Sequence, residues 1–208
     1  MRYRRADASD PQRSGSDDGS GGGPVESPRV EFALGDAQAI TTPDATFDYV
    51  VSGLVLNFVP DPAAALAEMK RVTRVGGMVA GYVWDYASGM EMIRYFWDAA
   101  SELDAGARDL DELVRSTLFT PEPLGALWKG SGLRKVEVVP LVVPTVFQDF
   151  DDYWRPFLGG QGPAPRYNMS LSEEARTRLR ELLREQLPTQ SDSSIRLRAR
   201  AWAARGIV

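Results

Sequence analysis

A chain of 208 residues can fold as one domain with a sizeable core, and 43% hydrophobic with 25% charged side chains is ordinary globular composition. The formal net charge of −5 gives no basic footprint for nucleic acid. The absence of both Cys and His excludes disulfides, thiolate nucleophiles, Cys/His zinc sites and any Ser-His-Asp arrangement. Catalysis must therefore rest on positioning, carboxylates, backbone groups or a cofactor.

Residues 1–29 form a compositional zone of their own. Tyr3 is the only aromatic residue before Val30, and Ser14 to Pro24 carries no aliphatic side chain. Such a segment cannot bury enough surface to offset its ordering entropy, which predicts a disordered tail. Gly21-Gly22-Gly23 follows no hydrophobic strand and opens no helix, so it is not read as a ligand loop. Arg2, Arg4 and Arg5 lack the apolar run of a signal peptide, and Tyr49 to Val59, the longest apolar stretch, is too short to span a bilayer. A cytoplasmic location with no membrane partner is expected.

From Val30 the pattern changes. Val30, Phe32 and Leu34 alternate with Glu31 and Ala33 as a strand would, and Phe47 to Leu56 is an apolar run suited to a strand covered on both faces. Asp61 and Pro62 open a helix with Leu66, Met69 and Val72 on its buried stripe, expected to end at Gly76-Gly77. Met78 to Trp84 is the next strand. Helices are predicted over Gly89–Leu103, Asp109–Leu118 and Pro123–Gly132, then a strand over Lys135–Phe147 that Pro140 and Pro144 mark as edge or bulged. A short helix over Phe150–Leu158 and a loop over Gly159–Pro163 follow. The clearest helix is Ser170–Leu187, with a capping box at Ser170 and Glu173. Its arginines alternate with glutamates as on a solvated face. Ile195 to Val208 reads as a final amphipathic strand.

The block VEFALGDAQAI, followed by PDATFDYVVS, resembles the middle of a class I S-adenosylmethionine-dependent methyltransferase of the small-molecule type. That resemblance implies an α/β fold: a partial Rossmann-like sheet, the family's third to seventh strands, with helical insertions. The domain would span 30–208, with helical acceptor or lid segments at about 87–132 and 150–187. It implies S-adenosylmethionine as cofactor and a small-molecule methyl acceptor. The family's glycine-rich donor loop and the acidic end of its second strand have no counterpart in this reading. The domain is thus expected to be truncated at its N-terminal side, whether through a misread gene start or as a natural fragment. The alternative function is a non-catalytic fragment acting as a binding or regulatory partner.

By the same resemblance, Asp36, Ala37 and Gln38 stand where the family reads adenine, through a carboxylate and the next backbone N–H. The plainer account of Asp36 is an Asp satisfying its own turn. Ser52, Gly53 and Leu54 end the central strand, where open parallel sheets bind ligand, and would line the donor's ribose or methionine part. Asn57 and Phe58 fall nearer the acceptor. Asp85, after the next strand, is the candidate catalytic carboxylate for orienting or deprotonating the acceptor, against a turn or helix-capping role. The groups Tyr95-Phe96-Trp97 and Tyr153-Trp154 read as core before pocket wall. With no neighbour beside it, Phe47–Ser52 should expose a sheet edge and favour self-association. Asp36 to Thr46 is too short for a crossover helix, so the Val30–Leu34 strand cannot easily pair beside it.

Overall fold

The computed structural model describes residues 32–111, 118, 120–159 and 162–208. The expected tail at 1–29 lies outside the described residues, as does most of the helix expected over Asp109–Leu118. Four strands form one sheet: β1 (Phe47–Gly53), β2 (Thr73–Trp84), β3 (Arg134–Phe147) and β4 (Ile195–Ile207), in the order β1-β2-β4-β3. β1 and β2 are parallel, and β4 runs antiparallel to both its neighbours. The helices are α1 (Pro62–Val72), α2 (Glu91–Leu103), α3 (Pro121–Gly130), α4 (Phe150–Trp154), α5 (Pro163–Ser170) and α6 (Glu173–Gln186).

One expected strand does not form. Residues 32–35 are irregular, with Phe32 and Leu34 exposed to 75% and 106%, while Val30 and Glu31 lie outside the described residues. The sheet therefore holds four of the five strands expected, without the first. An extended segment gains its ladder only beside another strand, and the loop to β1 is too short to carry the chain around as a parallel neighbour.

Boundaries shift elsewhere for local reasons. α1 stops at Val72, not at Gly76-Gly77, because the Thr73 hydroxyl donates to the Met69 carbonyl at 2.7 Å and Thr73 already begins β2. The cap of α6 is Ser172, whose hydroxyl accepts from the Ala175 N–H at 3.2 Å. Ser170 instead donates back to the Tyr167 carbonyl within α5, a helix that the Gly- and Pro-rich run before it had concealed.

Two cores result. α1 and α3 cover one face of the sheet, enclosing Val50, Leu66, Met69, Val79, Val83 and Trp128. α2 and α4–α6 build a helical half around Phe96, Trp97, Tyr153, Phe157 and Leu183, which also takes in Phe147, Ile195 and Leu197 from the far ends of β3 and β4. There Phe96 stacks on Phe157 at 4.5 Å and meets Trp97 edge-on at 5.3 Å, arrangements the ring quadrupole favours. The two aromatic groups thus form core, as their helical spacing suggested.

Candidate functional site

The parallel pair fixes where a ligand crevice lies. β1 and β2 end together, Gly53 opposite Tyr82, and in such a sheet the carboxyl ends of the strands face the ligand. Ser52 is buried at this edge and Gly53 exposed. Leu54 turns the chain with φ of +57°, unusual for a branched residue, while its N–H donates to the Tyr82 carbonyl at 2.8 Å. A 3₁₀ turn over Leu56–Phe58 then leads to α1. Within it both polar atoms of the Asn57 side-chain amide are shielded from solvent and find no protein partner among the described residues. An amide left so carries a donor and an acceptor ready for a ligand, and leaving both unmade is costly.

The acidic turn reaches the same edge by a traceable route. Asp61 caps α1, accepting from the Ala63 and Ala64 N–H groups at 3.0 Å each. The Asp61 N–H in turn donates to Gln38 Oε1 at 2.8 Å. Since α1 begins just beyond the carboxyl end of β1, this bond holds Asp36–Gln38 at that edge. Asp36 Oδ1 accepts from the Gln38 N–H at 2.8 Å, closing its own turn, and its exposed carboxylate keeps a second oxygen with no partner among the described residues. The two accounts of Asp36 are thus compatible: one oxygen serves the turn and the other faces solvent.

From there the loop runs back along α1 and is fastened at the helix's far end. Glu68 Oε2 accepts from the Ile40 N–H at 2.8 Å. Arg71 donates to Glu68, Asp44 and the Ile40 and Thr42 carbonyls. The hydrogen bond from Arg71 holds the Glu68 carboxyl below its ordinary value, and Glu68 and Asp44 together raise the guanidinium's. Sequence reading missed this clamp, although an acid three residues before an Arg on one helix face is its signal.

Asp85 follows β2 at the same edge but is enclosed, with 1% of its surface exposed. Its Oδ2 accepts from Arg200 Nε at 2.7 Å and Trp202 Nε1 at 3.1 Å and lies 2.6 Å from Arg200 Nη2 as an ion pair, and its Oδ1 accepts from the Ser88 N–H at 2.9 Å. These donors occupy the carboxylate, whose attached turn packs onto β4. A side chain at Gly89 would bring its Cβ within 2.6 Å of Arg200 Cβ and 2.8 Å of Asp85 Cβ, so only glycine permits that approach. Arg200 and Trp202 carried no local signal for this role, because they lie more than a hundred residues away in sequence.

A family profile described as a methyltransferase domain matches residues 3–81, which include the acidic turn, β1, α1 and most of β2. Over that stretch the chain is similar to methyltransferase domains. The profile match begins at Tyr3, inside the segment that composition sets apart as a tail. A demethylmenaquinone methyltransferase of Lysinibacillus sphaericus is 48% identical over 52 residues, 25% of this chain and 22% of that one. A 2-methyl-6-phytyl-1,4-hydroquinone methyltransferase of Synechocystis is 27% identical over 135 residues, 64% of this chain and 41% of that one. The chain thus covers less than half the length of either relative. In fold it is similar to a solved type II methyltransferase structure from Anaeromyxobacter dehalogenans, with TM-score 0.56, 19% identity, and coverage of 88% of this chain and 74% of that one. A structure from Anabaena variabilis, described as a methyltransferase of antibiotic biosynthesis, gives TM-score 0.52 at 21% identity, covering 86% and 74%.

Proposed function

We propose that this chain is a methyltransferase that binds S-adenosylmethionine at the carboxyl edge of β1 and β2 and serves transfer of its methyl group to a small-molecule acceptor. The observation that carries the reading is the Asp36–Gln38 turn, tied through Asp61 to the edge where the parallel strands end. The free oxygen of Asp36 suits the adenine amino group, with Ala37 and Gln38 supplying the neighbouring backbone. Ser52, Gly53 and Leu54 line the crevice beyond it, and the unpaired amide of Asn57 offers the donor and acceptor a polar ligand needs. These residues fit the adenine end of the donor. The glycine loop that would hold its methionine end has no counterpart among the described residues.

The donor, when bound, carries its own sulfonium leaving group, so the protein's share is alignment, which can supply on the order of 7–11 kcal/mol of the barrier. Asp85 enters as a positioning residue, because its oxygens already accept from Arg200, Trp202 and Ser88. The menaquinone and hydroquinone enzymes among the relatives support a small organic acceptor. Among the described residues no helix is long and apolar enough to cross a membrane, and with the net charge of −5 this supports a cytoplasmic protein that binds no nucleic acid. The outer edge of β1, which pairs with no strand among the described residues, supports self-association.

Calorimetric titration of the full chain with S-adenosylmethionine tests the reading. Saturable heat is expected, and Asp36→Ala should weaken it about tenfold, the worth of one charge-assisted hydrogen bond, with the melting temperature unchanged. Absence of heat at millimolar donor would sink the proposal.

A further inference from the structure

A second cavity lies away from the carboxyl edge. It is an open groove of about 780 Å³ on the helix-covered face, running between α1 and α3 toward the amino ends of β1 and β2. That volume is in the range of small-molecule sites. Ala63, Ala67 and Lys70 form one wall along α1, Leu127 and Gly130 face them from α3, and Val75 closes the lower end. From Ala63 to Lys70 is seven residues of helix, about 10 Å at the helical rise. Small alanines on α1 are what leave the space, since a longer side chain at position 63 or 67 would fill it.

One charge in this apolar groove is uncommitted. Lys70 Nζ donates to the Ser131 carbonyl at 2.8 Å, yet no carboxylate lies in ion-pair reach of it among the described residues. An ammonium has three donors, so two remain. The neighbouring cation, Arg71, is already engaged by Glu68 and Asp44. The Thr73 hydroxyl is spent on Met69. The bond to Ser131 also straps α1 to the end of α3, where a cation is favoured by both helix C-termini. That strap accounts for Lys70 but not for the apolar trough leading to it.

We infer that the groove between α1 and α3 binds an apolar carboxylate, a short acyl chain lying along Ala63 and Ala67 with its carboxylate on Lys70. The charge complement decides the class: the lining is mostly carbon, the Val208 oxygen already accepts from Gly76 and Arg134, and Lys70 is the lining cation without a carboxylate partner among the described residues, so a carboxylate can accept the two hydrogen bonds it has left. The site is separate from the methyl-donor crevice.

Calorimetric titration of the full chain with octanoate, beside 1-octanol, tests this. Octanoate should bind saturably and about tenfold more tightly than the alcohol, the difference one charge-assisted pair supplies. Lys70→Met keeps the aliphatic stem and should erase that preference. Should Lys70→Met fail to fold, Ala67→Phe fills the trough from the exposed side of α1 and should weaken octanoate about fivefold or more with an unchanged melting temperature. The inference is overturned by equal affinity for octanoate and octanol, which would mark apolar surface alone. It is overturned equally by a preference that survives Lys70→Met, by unchanged affinity in Ala67→Phe, or by octanoate heat that never saturates.

Discussion

β3 and β1 are the outer strands of the same sheet, and both show apolar side chains to solvent: Val139, Val142, Val143 and Val146 on β3, Tyr49 and Val51 on β1. Their backbones differ. β3 carries Pro140 and Pro144, each removing an N–H from the strand, and its end at Phe147 is sealed under the helical half with Ile195 opposite. β1 has no proline, and its single charge, Asp48, is paired with Arg74. Exposed side chains alone therefore do not make an edge hazardous; an uninterrupted row of donors and acceptors does. The sheet is closed by packing at the β3–β4 end and held by ion pairs at the β1 end, where Arg71 fastens the preceding loop.

Breaking the closed end should cost most. Trp97→Ala empties a site only 1% exposed and should lose about 3–5 kcal/mol in urea unfolding, whereas Tyr49→Ala, on a residue 70% exposed, should stay within about 0.5 kcal/mol. Equal losses at the two sites would dissolve the contrast. At the open end, Glu68→Gln should cost about 1.5 kcal/mol at neutral pH, the low end for a hydrogen bond to a charged group because Glu68 is partly exposed. The sign with pH follows from the lowered carboxyl. The stabilisation is complete above the ordinary value of 4.5 and is lost as pH falls through the lower folded one. Acid unfolding curves of the variant should accordingly be flatter through that window. Edge control should be the smallest effect. Val51→Lys should lower, and Pro144→Val raise, self-association by roughly fivefold in sedimentation velocity, the reach of about 1 kcal/mol of strand preference. Identical responses at both edges would remove the role given to the prolines.

Tyr167 offers a check on the helical half. Burial, helped by its hydrogen bond to Asp104, pushes its hydroxyl up to about 12. The folded group ionises above the ordinary 10.0, so the stability it contributes is complete below 10.0 and is lost as pH rises through 12. Tyr167→Phe should shift the alkaline limb of unfolding upward in pH, read by tyrosinate absorbance at alkaline pH.

Much of the site was legible because it is local. The turn at Asp36, the strand running to Ser52 and the cap at Asp61 each follow from residues within a few positions of one another, so pattern and chemistry reveal them together. The Glu68–Arg71 clamp belongs to the same class and could have been read. Asp85 could not, because its partners Arg200 and Trp202 arrive on a strand that pairs beside β2 only in the folded sheet. Nor could α5, whose helix starts behind glycine and proline and is held by packing of Ala164 and Tyr167.

By itself, then, the sequence determined most of the elements from Phe47 on, the faces they bury and the pattern of the acidic turn and central strand, since these depend on periodicity and on neighbours along the chain. The tertiary structure alone decided that Phe32 and Leu34 would remain outside any strand. It also decided that Asp85 would be enclosed by donors, and that small residues on α1 and α3 would leave a groove ending on Lys70. Each of those outcomes depends on which distant surface arrives beside a residue, and a linear pattern does not carry that information.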